Sequence, residues 1–317
     1  MKRDVVLLSH YDLDGAGCSV LSDHIWNVVD RKHQGYGKIR ASLGYLIGQY
    51  YKKIDTIVIA DLKIEEEDLL LAMFAFPNVI YYDHHESSEE FSKYADNPYH
   101  PAEGSFEFHF DLEFSSTALM WMDGARNKGA QRTSWLDAFM NAVNTYDMWK
   151  TENKRWEQSV MMNDLFWNLH MDDFRARFKD GLKGFTDAEL QWHEGLKQQR
   201  QNVIENATVE EMESGSKVVV ISESKAINFV TSYMDGDVFY IISPDFSKHN
   251  VSVRIKDSDP SFNVNNGIKD LPTRHPNLVQ SAGGHASAGG ITFAEDLSLN
   301  EIVDLLYEED EAIRSAA

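Results

Sequence analysis

The chain has a single cysteine, Cys18, among 317 residues. That excludes a scaffold of intramolecular disulfides and points to a reducing, cytoplasmic compartment. Cys18 is expected in the first turn of the first helix with no partner base at motif spacing, so it reads as a small buried hydrophobe rather than a nucleophile. Long apolar runs are missing as well. No stretch approaches the roughly eighteen consecutive apolar residues of a membrane-spanning helix, and the opening MKRDVVLLSHYD has no small-residue cleavage site. Neither a signal peptide nor an anchor is expected. Cations are scarce: thirty Lys and Arg stand against fifty-one Asp and Glu, a formal net charge of −21. A protein that follows a long nucleic acid must neutralise many phosphates. Any phosphate-bearing substrate is therefore expected to be short, with bound metal offsetting part of the acidity.

With 43% hydrophobic residues, the composition is globular, and the length suggests two domains. In the first half, DVVLLSH, an amphipathic run from about Gly17 to Val29, KIRASLG, DTIVIAD, EEEDLLLAMFAF and NVIYYDHH alternate as strand-like and helix-like segments. Short β-branched runs followed by helical periods predict parallel βαβ units, hence an α/β fold with a buried parallel sheet. A loop-like aromatic region (Ser92–Glu113) follows, and then mainly helical segments from Ser116 to about Ala207. The expected division is a catalytic domain with a helical extension over 1–186, a linker helix over 187–210 and a smaller α+β domain over 211–317. In that last part KVVVIS, KAINFVTSYM, DVFYIIS and NVSVRIK reset the pattern before the glycine-rich SAGGHASAGG.

The chemistry is concentrated at predicted strand ends. After the run Val5–Leu8 the sequence reads SHYDLDGAG. Side chains two apart on a strand share a face. His10, Asp12 and Asp14 therefore either repel one another or hold a cation, unless the segment is simply a βα turn whose aspartate caps the next helix. Asp61 ends DTIVIAD, and Asp83-His84-His85 ends NVIYYDHH. Ligands of open α/β sheets bind at the carboxyl ends of the strands, where residues distant in sequence meet. With Asp147 at the end of a predicted helix, four to five carboxylates and three imidazoles are available. Such a set suits Mn²⁺ or Mg²⁺, and less well Zn²⁺ or Co²⁺. Two cations bridged by one carboxylate would form the clamp used for in-line phosphoryl displacement.

The ordered series SHYDLDG, VIADL, YYDHH, NTYDMW and AGGHASAGG resembles the DHH phosphoesterase superfamily, DHHA1 branch, over nearly the whole chain. NTYDMW and SVMMNDLF resemble its nanoRNase subgroup of oligoribonucleases, with RecJ-type exonucleases and nucleotide phosphatases as relatives. The resemblance implies a parallel-sheet DHH domain joined to a DHHA1 domain, and two divalent cations, Mn²⁺ first, with Mg²⁺ or Co²⁺ as alternatives. It implies His10 and Asp12 on one cation, Asp14, His84 and Asp147 on the other, and Asp61 bridging. His85 would face the scissile phosphate, Asp83 would orient an imidazole or complete a shell, and a hydroxide generated between the ions would attack.

In the second domain, Gly283, Gly284, Gly289 and Gly290 would let backbone amides approach phosphate, unless they merely form a hairpin. His285 and the forked guanidinium of Arg254 favour phosphate recognition. The resemblance implies an active site in the cleft between the domains. Ser116 and Thr117 are read as helix-capping residues rather than phosphate contacts. The polar segment 257–282 matches no motif.

The expected activity is hydrolysis of short RNA or DNA oligonucleotides to mononucleotides, with no long duplex and no membrane as partner. Small nucleotides such as 3′-phosphoadenosine 5′-phosphate or cyclic or linear dinucleotides are the alternative substrates. A RecJ-like exonuclease on long strands is disfavoured by the net charge. The ligand set argues against a catalytically inactive nucleotide sensor, and AGGHASAGG against a family II pyrophosphatase.

Overall fold

The computed structural model describes residues 2–95, 104–211, 217–221, 226–233, 239–245, 247, 249–256, 264, 268–284, 288–294 and 297–306. The chain divides into two compact units, Met1–Thr186 and Asp187–Ala317.

In the first unit the strands are β1 (Asp4–His10), β2 (Asn27–Gln34), β3 (Thr56–Ala60), β4 (Asn78–Asp83) and β5 (Ser105–Phe110). They form a five-stranded sheet in the order β2-β1-β3-β4-β5, with every neighbouring pair parallel. Val5–Leu8 and Thr56–Ala60 are completely buried. This explains why these strands are continuously apolar rather than alternating: helices cover both faces of the sheet. The helices are α1 (Leu13–Ile25), α2 (Ile39–Tyr50), α3 (Glu66–Ala75), the one-turn α4 (Ser92–Ala95), α5 (Ser116–Asn127), α6 (Ser134–Asp147), α7 (Trp156–Asn168) and α8 (Met171–Phe178). Leu43, Leu46, Leu69, Met73 and Phe76 pack with Val6, Leu8, Ile57, Ile59 and Tyr81 in one core cluster.

Three segments differ from the sequence expectation. The first helix ends at Ile25 because Asn27–Gln34 forms the edge strand β2. KIRASLG lies within α2, which buries Ile39, Ser42, Leu43 and Leu46 along one stripe. Part of the expected loop Ser92–Glu113 forms β5, paired to β4 with Tyr82 opposite His109.

This topology fixes the site. From β1 the chain goes to β2 on one side and then to β3 on the other, so the order switches between β1 and β3. A crevice opens outside the carboxyl ends of strands at such a point. Ser9 pairs with Ala60 and Ala60 with Tyr82, which brings the residues following these pairs, His10, Asp61 and Asp83, to one sheet edge.

The second unit holds α9 (Asp187–Glu205), β6 (Thr208–Glu211), β7 (Lys217–Val220), α10 (Ile227–Tyr233), β8 (Phe239–Asp245), β9 (Asn250–Lys256), β10 (Val279–Gly284) and β11 (Ala288–Phe293). Its six-stranded mixed sheet runs β10-β11-β9-β8-β7-β6, with β7 and β8 the parallel pair. The segment 257–282 is partly outside the described residues, but its Val264, Ile268 and Leu271 belong to this unit's core. Among the described residues no helix is long and apolar enough to cross a membrane.

Candidate metal centre

Asp12 both caps a helix and faces the cluster. Its Oδ1 accepts the Gly15 amide at 2.9 Å as N-cap of α1, while Oδ2 lies 2.7 Å from His10 Nδ1. Gly15 is required by close approach: a Cβ there would stand 2.1 Å from the His10 carbonyl oxygen. Asp14, wholly buried in the first turn of α1, accepts the amides of Ser116 at 2.8 Å and Thr117 at 3.0 Å. Those amides belong to the N-terminus of α5, where Ser115 is the cap. The α5 dipole therefore favours a negative charge on Asp14. Thr117 Oγ1 also donates to the Asp14 carbonyl at 2.7 Å. Ser116 and Thr117 thus orient a candidate ligand, a role that backbone donors perform without any sequence signature.

Gly17 lets α5 approach α1. A Cβ there would sit 2.4 Å from Thr117 Oγ1. Gly17→Ala is expected to destabilise the fold by about 1–3 kcal/mol through overpacking. Gly44→Ala in α2, where a Cβ meets nothing within 4 Å, should instead be neutral or mildly stabilising. Thermal unfolding of the two variants side by side checks this, and equal melting temperatures would contradict the packing argument.

Asp61 immediately follows β3 with φ +56°. That left-handed conformation is uncommon for a side-chain-bearing residue and is tolerated best by Asn and Asp. Its carboxylate is almost fully buried and stands between two imidazoles, Oδ1 3.5 Å from His84 Nε2 and Oδ2 3.8 Å from His10 Nδ1. His84 Nε2 is also 3.4 Å from Asp147 Oδ2, at the end of α6. Two donor groups result, His10/Asp12/Asp61 and Asp14/His84/Asp147, each with ligand atoms within 4.8 Å of one another. Asp61, Asp83, His84 and His85 form a third, overlapping group.

Electrostatics mark this cluster. Burial, followed by the negative charges of Asp12, Asp14 and Asp147, pushes the Asp61 carboxyl well above the usual carboxylate range. Burial together with Asp14, Asp12 and Asp83 does the same to Asp147. Asp12 goes the other way: burial raises it, but the hydrogen bond and charge of His10 outweigh that and hold it well below the usual range. Burial lowers the His84 imidazole, keeping it in the neutral form a metal needs. At His85 burial opposes the charge, but the 2.7 Å bond from Nδ1 to Asp83 more than offsets it and raises the imidazole. Asp83, buried and also 3.1 Å from the Tyr81 hydroxyl, is correspondingly lowered.

The donor set fits hard divalent cations. Asp61 Oδ2 and Asp147 Oδ2 are buried and accept no hydrogen bond, an arrangement that is costly unless something positive faces them. Among the described residues no lysine or arginine pairs with Asp12, Asp14, Asp61 or Asp147. A further group, Glu107/His109/Asp123, contrasts with this one. There Lys128 Nζ lies 2.7 Å from Glu107 and 3.3 Å from Asp123, so the protein supplies the cation itself. Cys18 is buried, and burial pushes its thiol well up, as befits a core residue.

In the second unit, Arg254 on β9 is held by Asn228, its Nε donating to Oδ1 at 2.9 Å. Gly283 and Gly284 are not in an open loop. They pair with Gly290 and Gly289 across the β10–β11 hairpin. A Cβ on Gly284 would lie 2.2 Å from the Ala288 carbonyl oxygen, and one on Gly289 2.4 Å from the Ile268 side chain. Close strand and side-chain approach accounts for these glycines. His285 lies outside the described residues.

No family model matches the chain. A stretch of 180 residues, 54% of this chain, is 27% identical to the oligoribonuclease NrnB of Bacillus subtilis. The match covers 43% of that curated relative, so the chain spans less than half its length. Three solved structures show the same fold. The DHH domain of a member of a ribosomal-protein family aligns with TM-score 0.60 and 17% identity, over 97% of this chain and 86% of that one. The pGpG-specific phosphodiesterase PggH of Vibrio cholerae aligns with TM-score 0.56 and 15% identity, over 99% and 100%. Exonuclease RecJ bound to manganese aligns with TM-score 0.52 and 12% identity, over 99% and 90%. The resemblance to DHH-domain proteins is therefore borne out at the level of the fold.

Proposed function

We propose that this chain, which has the fold of the DHH phosphoesterase superfamily, is a divalent-cation-dependent phosphodiesterase that cleaves short oligonucleotides to mononucleotides. One observation carries the reading: the two oxygens of Asp61 face two separate donor groups at the switch point of a parallel sheet. His10, Asp12 and Asp61 would hold one cation, and Asp14, His84, Asp147 and Asp61 the other, with Mn²⁺ the first choice. Bound there, divalent cations supply Lewis acidity toward phosphoryl oxygen and lower the pKa of water.

The chain's own residues do the rest. Asp83 holds the His85 ring through Nδ1, and in that orientation His85 would donate to a phosphoryl oxygen as negative charge builds there. Tyr81 and the backbone amide of His84 in turn hold the Asp83 carboxylate. Arg254, with its guanidinium positioned by Asn228, and Gly283, Gly284 and His285 are proposed as contacts to a non-reacting phosphate. Names among the relatives support short substrates: one is an oligoribonuclease and one a pGpG-specific phosphodiesterase.

Product analysis with Mn²⁺ on labelled RNA and DNA of two to twenty nucleotides, with small nucleotides in parallel, tests this. At −21 the chain repels a long polyanion wherever the strand leaves the site, and salt screens that repulsion over only about 8–10 Å. kcat/KM is expected to fall steeply from di- through pentanucleotides to twenty-mers, and added salt should narrow the gap. Equal rates for a trimer and a twenty-mer at low salt would replace this reading with a RecJ-like one.

A further inference from the structure

The carboxylates of the donor cluster are not all held in the same way. Asp12 accepts the Gly15 amide, Asp14 the amides of Ser116 and Thr117, and Asp83 the amide of His84. Asp147 Oδ2 is buried, stands 3.4 Å from His84 Nε2 and accepts no hydrogen bond. Its position beside His84 is therefore set by the backbone that carries it, the last turn of α6.

That turn closes on a residue of the wrong type. The Trp149 amide donates to the Tyr146 carbonyl at 3.0 Å and the Lys150 amide to the Thr145 carbonyl at 2.9 Å. Such paired bonds end a helix through one left-handed residue, and glycine is its ordinary occupant. Here it is Trp149, with φ +50°. A bulky side chain in that conformation is costly and persists only where its surroundings over-determine it. Those surroundings are aromatic. Trp149 meets Trp156, the buried first residue of α7, at 5.1 Å and 76°, and Tyr146 at 5.9 Å and 68°. Tyr146 stacks on the same Trp156 ring at 5.7 Å and 8°, and its hydroxyl accepts from Asn163 Nδ2 of α7 at 2.9 Å. The residue before Asp147 and the residue two after it are thus fastened to one buried ring of the neighbouring helix.

We propose that Trp149 is a positioning residue: packed with Tyr146 against Trp156, it fixes the end of α6 so that Asp147 presents its carboxylate to a divalent cation shared with Asp14 and His84. The proposal rests on the cation-dependent reading above and adds to it a residue outside the donor set. Glycine alone would make the turn at lower cost, but only a ring fastens it to α7. Glycine at this position would relax the backbone and release the carboxylate, so stability and metal affinity should part company.

The test uses the full-length chain and three variants. Trp149→Gly and Trp149→Asn tolerate the left-handed turn and lack the ring, whereas Trp149→Phe keeps one. Calorimetric titration with Mn²⁺ alone is expected to show two ions bound by wild type. In both ringless variants one ion should bind about tenfold more weakly, as when a group that orients a ligand is lost, and the other should change less than about twofold. On a dinucleotide, kcat should fall about tenfold at fixed Mn²⁺ with KM unchanged. Melting temperatures in chelator should stay within about 5 °C of wild type, because the relaxed turn offsets lost packing. Trp149→Phe should recover most of the affinity.

Wild-type Mn²⁺ affinity in both ringless variants overturns the proposal, as does a Trp149→Phe protein as weak as they are. Equal weakening of both ions, or ringless variants that unfold before Mn²⁺ is added, makes the ring merely structural and overturns it too. A raised KM with unchanged Mn²⁺ affinity puts Trp149 on the substrate instead. Hydrolysis on the same samples separates the two readings. The expected Mn²⁺ shifts without hydrolysis sink the phosphodiesterase and keep the role of Trp149; hydrolysis with unaltered Mn²⁺ binding in the ringless variants does the reverse. A wild type that binds no Mn²⁺ overturns both.

Discussion

Asp61→Asn is expected to lower kcat by at least about three orders of magnitude while making the metal-stripped protein more heat-stable. Both effects follow from one carboxylate. It faces His10 through one oxygen and His84 through the other, so an amide in its place removes a charged donor from both groups at once. Asparagine keeps the volume and tolerates the φ of +56° that the backbone adopts there; alanine would add strain and a cavity to the comparison. Without a cation, Asp61 is buried against Asp12, Asp14 and Asp147, which push its carboxyl well above the usual range. A neutral isostere relieves that repulsion. Each kcal/mol relieved corresponds to about 2–4 °C in a domain of this size. Steady-state kinetics on a dinucleotide and thermal unfolding in chelator read the two effects. A variant that keeps a tenth of wild-type kcat would remove Asp61 from the shared position.

That opposition of activity and stability explains which parts of this protein were legible in its sequence. The central strands were, because Val5–Leu8 and Ile57–Ala60 are buried on both faces and so appear as unbroken apolar runs. The edges were not. Asn27–Gln34 pairs on one side only and carries Asp, Arg, Lys and His, so its composition argues against a strand, although it pairs in parallel with β1 along its length with one register shift between Val5 and Val6. Among the candidate ligands, His10, Asp12, Asp61, Asp83 and His84 stood out because acidic and imidazole groups at strand ends are unfavourable unless they do something, and Asp147 joined them from the end of a helix. The groups that hold them did not stand out. The amides of Ser116 and Thr117 reach Asp14 across about a hundred residues of chain, and any residue except proline could have supplied them. The glycines were legible as turns, yet Gly15 and Gly17 are required by a carbonyl and a threonine that only the tertiary packing brings near.

Removing divalent cations is expected to abolish hydrolysis and to lower the melting temperature, with Mn²⁺ restoring both. The cluster gathers Asp12, Asp14, Asp61 and Asp147, and leaves Asp61 Oδ2 and Asp147 Oδ2 buried without hydrogen bonds. Two helix N-termini offset part of that charge. No lysine or arginine among the described residues offsets the rest, in contrast to Lys128 beside Glu107 and Asp123. A ligand that binds only the folded state stabilises it by RT ln(1 + [L]/Kd), about 2.7 kcal/mol at a hundredfold excess over Kd. At about 2–4 °C per kcal/mol, Mn²⁺ should raise the wild-type melting temperature by about 5–11 °C over the chelated protein. Asp61→Asn, having lost a donor common to both groups, should show a much smaller rise from its higher starting point. The two melting curves should therefore converge or cross as Mn²⁺ is added. Full turnover in excess chelator, with metal verified absent by elemental analysis, would rule out cation dependence. Equal Mn²⁺ shifts in wild type and Asp61→Asn would place the cation elsewhere on the protein.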